Sequence, residues 1–342
     1  MVFSLLATII LIFSKKQNKT FEEQFSKESF IPVRGLLASI IVFTHAWING
    51  IYNNTFFDSL ISLYSRAGYL VVSVFFFLSG FGVYESAKRR DHYFDGFIKR
   101  ESIKIMLPYV LTNIIYIVFR LIKSDTIILK EVLLSFIWPL YNTAAWYVFS
   151  VLMIYLILYI LIDRLKLRER KLYLTASFCM LCIMTLCYLA KMGSWWYISL
   201  FGVVIGLVFS DHKEKLLNNR FTTVLSFLFI MLYMFFIIRF DYFPTKIITA
   251  IRIITASIFP LVVCKYMQHK EINLKPLKIM GECSYEIYLL QGLFILYLHI
   301  DGFGIVLNCE LTSLACVLLS SFSGFVLHKL LNQIRRNLNF NR

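Results

Sequence analysis

An arginine and a histidine stand eleven residues apart in one apolar stretch, Arg34-Gly-Leu-Leu-Ala-Ser-Ile-Ile-Val-Phe-Thr-His45. Imidazole, with an unperturbed pKa of about 6.5, can take a proton from a hydroxyl at neutral pH and serve as a general base. A guanidinium keeps its charge and suits phosphate or carboxylate. On a helix rising about 1.5 Å per residue, His45 lies roughly 16 Å along the axis from Arg34. If that helix spans a bilayer, Arg34 sits at one headgroup layer and His45 near the middle. An ionisable side chain there is costly and marks function by default. The plain alternative is an imidazole that only hydrogen-bonds between helices. Asn49, one turn beyond His45, is a candidate partner for it or for an acceptor.

Other groups could join this pair. The stretch Lys88-Arg-Arg-Asp-His-Tyr-Phe-Asp-Gly-Phe-Ile-Lys-Arg-Glu-Ser-Ile-Lys104 holds six positive charges. Its Lys99, Arg100 and Lys104 suit a phosphorylated ligand, because both cations pair well with phosphate. A solvated basic loop is the competing reading. Ser79, Gly80 and Gly82 form a small-residue patch, good for helix packing or for an extended ligand tail. Arg252 and Glu310 each fall inside an apolar run at similar depth, where mutual pairing is the cheapest way to keep both. The seven cysteines lie almost wholly in apolar runs and read as small hydrophobes. Cys179 and Cys182 form a CxxC without a second pair or a nearby histidine, so no metal is expected.

These residues need a scaffold. The chain has 342 residues, 59% hydrophobic and only 16% charged, with a mean hydropathy of +0.71. A soluble domain has about 45–50% apolar and about 25% charged residues. Apolar runs near 31–51, 68–86, 105–122, 143–163, 172–190, 194–210, 221–240, 245–264, 282–300 and 303–328 predict ten spans. The fold class is therefore all-α, a polytopic transmembrane helical bundle. Residues 1–30 read as a short apolar interfacial helix and a basic linker, 31–330 as one membrane domain, and 331–342 as a basic tail.

The net charge of +15 does not require a nucleic acid. Most Lys and Arg lie in alternate loops, which is the positive-inside pattern. Those loops place the start of the first span and the C-terminus in the cytoplasm. The apolar segment 1–13 is too short to span without tilting and lacks the basic start and cleavage site of a signal peptide. Residues 127–141 are apolar too, but Lys130, Glu131 and Pro139 argue for an amphipathic or re-entrant helix on the outer face.

Together the segments resemble the integral-membrane acyltransferase family 3, which includes bacterial glycan O-acetyltransferases. Arg34 and His45 match its R-x10-H motif. Val72-Ser-Val-Phe-Phe-Phe-Leu-Ser-Gly-Phe81 is similar to its VDxFFxLSGF stretch, and Phe97-Ile-Lys-Arg with Lys104-Ile-Met-Leu-Pro-Tyr109 to its FxxRRxxRIxPxY segment. Trp146-Tyr-Val-Phe with Tyr155 resembles its WFL…YL helix, and Gly281-Glu-Cys-Ser-Tyr-Glu-Ile-Tyr-Leu-Leu-Gln291 its GxxSYxIYLxH. Three positions depart: Ser73 replaces a common Asp, Glu101 a second arginine, and Gln291 a frequent His.

The resemblance implies an O-acyltransferase of the cell membrane that uses acyl-CoA, most simply acetyl-CoA, as cosubstrate, with no bound cofactor. The acceptor is a hydroxyl of a cell-surface polysaccharide or lipid-linked sugar. His45 would be the base or would carry the acyl group, and Arg34 would act with it. Arg34, Lys99, Arg100 and Lys104, with Ser79 and Gly80, would hold the donor. Asn49, Trp146, Arg252 and Glu310 are acceptor-side or structural candidates. A glycan or lipid transporter is the alternative from another class, weakened by the lack of inverted repeats. A scaffold subunit of a membrane synthase is a third reading.

Overall fold

The structure, a computed structural model, describes residues 2–48, 58–123, 127–239, 245–296 and 309–337. Its helices in chain order are α1 (Val2–Phe13), α2 (Phe21–Gln24), α3 (Lys27–Ile48), α4 (Asp58–Ser65) and α5 (Gly68–Arg89). There follow α6 (Phe97–Ile122), α7 (Leu129–Ser135), α8 (Trp146–Tyr159), α9 (Glu169–Leu189) and α10 (Phe201–Asn218). The last five are α11 (Arg220–Arg239), α12 (Thr245–His269), α13 (Lys275–Glu282), α14 (Ser284–Ile295) and α15 (Cys309–Asn337). Short 3-10 or π turns flank α8 and precede α10.

Among the described residues, eight helices are long and apolar enough to cross a membrane. Each of the ten expected spans falls on a helix. The two outside that eight are the α11 region, apolar over Thr222–Phe235, and α14, whose continuation lies outside the described residues. A hydrocarbon core offers the backbone no water, so helices that pair every amide internally are the natural solution for such runs. The fold is a polytopic helical membrane fold. Contacts divide the chain into two units interleaved in sequence. One comprises Met1–Gly68, Lys104–Val148 and Glu271–Arg342, the other Tyr69–Ile103 and Phe149–Lys270.

In the first unit α3 is buried on nearly all sides, from Leu36 through Ala46. Its tightest neighbour is α13. A Cβ on Gly35 would run into the Leu277 carbonyl oxygen, and one on Gly281 into the Ile31 carbonyl oxygen. The two glycines thus let the backbones touch from both sides, as small residues do between membrane helices. The chain turns at Cys283 and continues as α14, which packs on α3 and α15; Ile287 fills the space over Gly324. Tyr116, Tyr141, Leu290, Leu293, Leu327 and Leu331 form a buried cluster beside it.

Helix α1 docks on this unit. Phe3 stacks on Phe43 with ring centroids 4.4 Å apart, and the Thr8 and Tyr64 hydroxyls are 2.8 Å apart. Leu5, Leu6, Ile9, Ile12 and Phe13 stay exposed along it. The helix expected over 127–141 is shorter, seven residues in α7. Beyond its end, Pro139 disfavours helical geometry at Trp138. Ser135 closes α7 and is buried. Its carbonyl accepts from the Tyr109 hydroxyl at 2.6 Å, and its Oγ from Asn113 Nδ2 at 2.8 Å.

In the second unit α5 and α10 approach through glycines. A Cβ on Gly80 would meet the Val203 carbonyl oxygen, one on Gly202 that of Ser73, and one on Gly206 that of Phe77. Phe77, Phe81 and Phe209 interlock edge to face at 5.3–5.6 Å across the seam. Charges gather where these helices reach their basic ends. Glu85 binds Lys88 at 3.2 Å and Arg89 at 2.7 Å, and accepts from Ser210 Oγ at 2.6 Å. Lys88 also pairs with Asp211 at 3.0 Å.

Candidate active site

Arg34 and His45 share α3, so their separation is set by one rigid rod. Arg34 is held at its base by the Gly35–α13 contact and at its tip by Ser284, whose Oγ accepts from Arg34 Nη2 at 2.8 Å. Ser284 opens α14. Seven residues further along α14, the Gln291 side chain stands beside the half-buried His45 imidazole. The two contacts occur in the same order along both helices, so α3 and α14 run parallel in this region. Seven residues of α14 rise about 10.5 Å and eleven of α3 about 16.5 Å. The strip between them has a cation at one end and an imidazole with a carboxamide at the other.

Ser284, Tyr288 and Gln291 fall on one face of α14, four and three residues apart. The Tyr288 ring meets Tyr147 edge-on, with centroids 5.6 Å apart. Tyr147 follows the buried Trp146, and their rings also meet edge-on at 6.2 Å. Trp146 therefore belongs to the aromatic wall behind this face. Two side chains fix the height of α14: Asn142 Nδ2 and the Tyr116 hydroxyl both donate to the Leu289 carbonyl, at 2.8 and 3.3 Å. On the far side Glu286 is buried and contacts His328 Nδ1 of α15 at 3.1 Å. Lys104 is exposed, and its carbonyl accepts from Arg335 Nη2 at 3.3 Å.

Lys99, Arg100, Ser79, Gly80 and Arg252 belong to the second unit. Lys99 is exposed on the first turn of α6. Arg100 is committed within its own segment: Nη1 donates to the Asp95 carbonyl at 3.2 Å, Nη2 to that of Tyr93 at 3.0 Å, and Nε to Glu101 at 3.1 Å. It also lies over the Tyr93 ring, 5.5 Å from its centroid. Burial, then the Glu101 charge, push the Tyr93 phenol above its usual range, so the ring stays neutral under its cation. Arg100 thus shapes the turn before α6. Ser79 Oγ donates to the Phe75 carbonyl at 3.1 Å, and the open side of Gly80 is filled by Val203. Arg252 stacks over Tyr69, 5.6 Å from the ring centroid, and the Tyr69 and Thr255 hydroxyls lie 3.0 Å apart. Asn49 lies outside the described residues. Of Glu310 only the backbone is described, as the start of α15, so the expected Arg252–Glu310 pair has no described counterpart.

In the sequence Gln291 reads only as a departure from a pattern, and Ser284 only as the serine of the same late motif, with no role attached to it. Their seven-residue spacing is the available signal, since it puts both on one helix face. The Glu286–His328 pair carries no local signal.

A family model described as an acyltransferase domain matches residues 30–336. Fold and match together define the class, an integral-membrane acyltransferase. The chain belongs to acyltransferase family 3. Comparison with curated proteins and with solved structures found no match.

Proposed function

We propose that this protein transfers an acyl group, acetyl in the simplest case, from acyl-CoA to a hydroxyl of a cell-surface polysaccharide or lipid-linked glycan. The observation that carries this reading is the strip between α3 and α14. It is anchored by Arg34 on Ser284 and ends at His45 beside Gln291. A sugar hydroxyl ionises far above neutral pH, so it needs a base as it attacks the thioester. His45 is that base: it takes the hydroxyl proton and returns it to the departing CoA sulfur. Arg34 holds donor phosphate at the basic end, with charge-assisted hydrogen bonds from a side chain already fixed in direction. Lys104, exposed and in the same unit as Arg34, adds diffuse positive charge; in the second unit Arg100 keeps the turn before α6 in shape.

In this reading the basic ends face the cytoplasm, where acyl-CoA is found, the acceptor comes from the opposite face or from lipid, and the membrane is the plasma membrane. Purified full-length protein given radiolabelled acetyl-CoA and membrane extract should release CoA and label a glycan or lipid-linked sugar. Surface glycans from cells with the gene should carry the mass of an acyl group that deletion removes. No acyl-CoA consumption with any acceptor fraction would reject the proposal.

A further inference from the structure

The Gln291 carboxamide is fully buried. Its contact with His45 falls short of full hydrogen-bond geometry, since neither Nε2 nor Oε1 has a hydrogen-bond partner among the described residues. One turn earlier on the same face, the buried Tyr288 hydroxyl has none either, although it approaches the Tyr147 backbone. Buried polar groups without partners are costly and uncommon, and in a native protein each calls for a ligand, a water or a functional role. Gln291 stands beside His45, the group proposed to deprotonate an incoming hydroxyl, and Tyr288 lies one turn earlier on the same face of α14. A carboxamide offers two N–H donors and a phenol one O–H, all neutral, so neither competes with His45 for the proton.

We infer that Gln291 Nε2, with the Tyr288 hydroxyl beside it, donates hydrogen bonds to the thioester carbonyl oxygen as that oxygen gains charge. This rests on the acyl-CoA reading and on His45 as base. As the acceptor oxygen bonds to the carbonyl carbon, its proton passes to His45 and the C=O electron pair moves onto oxygen. Gln291 and Tyr288 hold that oxyanion. The pair then falls back, the C–S bond breaks, and the thiolate takes the proton from His45. The ester and free CoA leave with His45 neutral again. The donors are set in place before reaction, because Asn142 and Tyr116 fix α14 through Leu289.

Two substitutions separate this from a role in merely orienting His45. Gln291→Leu removes every polar atom. Gln291→Glu keeps an oxygen to accept from the imidazole but loses both N–H donors. Steady-state kinetics on purified full-length protein should show kcat falling about 10²–10³-fold in both variants, with KM for acetyl-CoA little changed, as for loss of an oxyanion donor. Tyr288→Phe should lower kcat in the same manner. A Gln291→Glu enzyme with near wild-type kcat would overturn the donor role, and it carries the test alone where Gln291→Leu does not accumulate. Wild-type kcat in Tyr288→Phe would strike Tyr288 from the pair. Wild-type protein that consumes no acetyl-CoA is a different result: it rejects the acyl-transfer reading itself.

Discussion

His45 and Arg34 make different demands on their surroundings, and their substitutions should separate accordingly. His45→Ala should cut transfer about 10²–10⁴-fold, the usual worth of a general base, with acyl-CoA binding retained. His45→Gln keeps hydrogen-bonding capacity but takes no proton at neutral pH, so it should be equally inactive. Near wild-type turnover in His45→Gln would rule out the base. Arg34→Ala should instead weaken acyl-CoA binding about ten- to a hundredfold, the worth of a charge-assisted hydrogen bond. It should also make binding less sensitive to salt. Unchanged affinity, measured by isothermal titration, would move the donor phosphates elsewhere. The Arg34–His45 pair is legible in the sequence because both residues lie on one helix and their types announce chemistry. Their partners are not, since Ser284 is 250 positions from Arg34. No local pattern encodes which distant helix a side chain will meet.

At the scale of elements, each apolar run falls on a helix, and among the described residues eight of these are long and apolar enough to cross a membrane, because lipid leaves a long apolar run little choice but a helix. Apolar periodicity says less about which face packs. The patch Ser79-Gly80-Phe81-Gly82 reads as uniform in sequence, but its two glycines differ in surroundings. Gly80 lies against the Val203 backbone, while a Cβ on Gly82 would meet nothing within 4 Å. Gly80→Ala should therefore push α5 from α10 and destabilise the protein by about 1–3 kcal/mol, the cost of overpacking. Gly82→Ala should be neutral or stabilising by up to about 1 kcal/mol, since alanine favours helix. Thermal stability in detergent checks both; equal losses would mean that the α5–α10 seam is not the reason for Gly80. Gly35→Ala belongs with Gly80→Ala, but it would also disturb the Arg34 turn. It should lower stability and acyl-CoA affinity together.

For the whole molecule, the direction of insertion decides whether the proposed chemistry is reachable. Acyl-CoA is cytosolic and the glycan acceptor is not, so the Arg34 end of α3 must face the cytoplasm for this reading to hold. The charge distribution points that way. The stretches 15–34, 88–104, 164–171, 213–220 and 265–278, helix ends included, carry 23 of the 35 Lys and Arg residues. Short basic loops are retained on the cytoplasmic side. If all ten expected runs span, the chain returns to the side on which it started, and in this reading the basic C-terminus shares that side. A reporter fused after Arg342 should thus be active only in the cytoplasm, and a cysteine placed in residues 52–65 should react with an impermeant maleimide from outside. Residues 164–171 hold Arg164, Lys166, Arg168, Arg170 and Lys171 between two strongly apolar helices, so they are the firmest anchor of the map. Labelling of that loop from outside would reverse the orientation. It would put Arg34 on the face without acyl-CoA and remove the donor site with it.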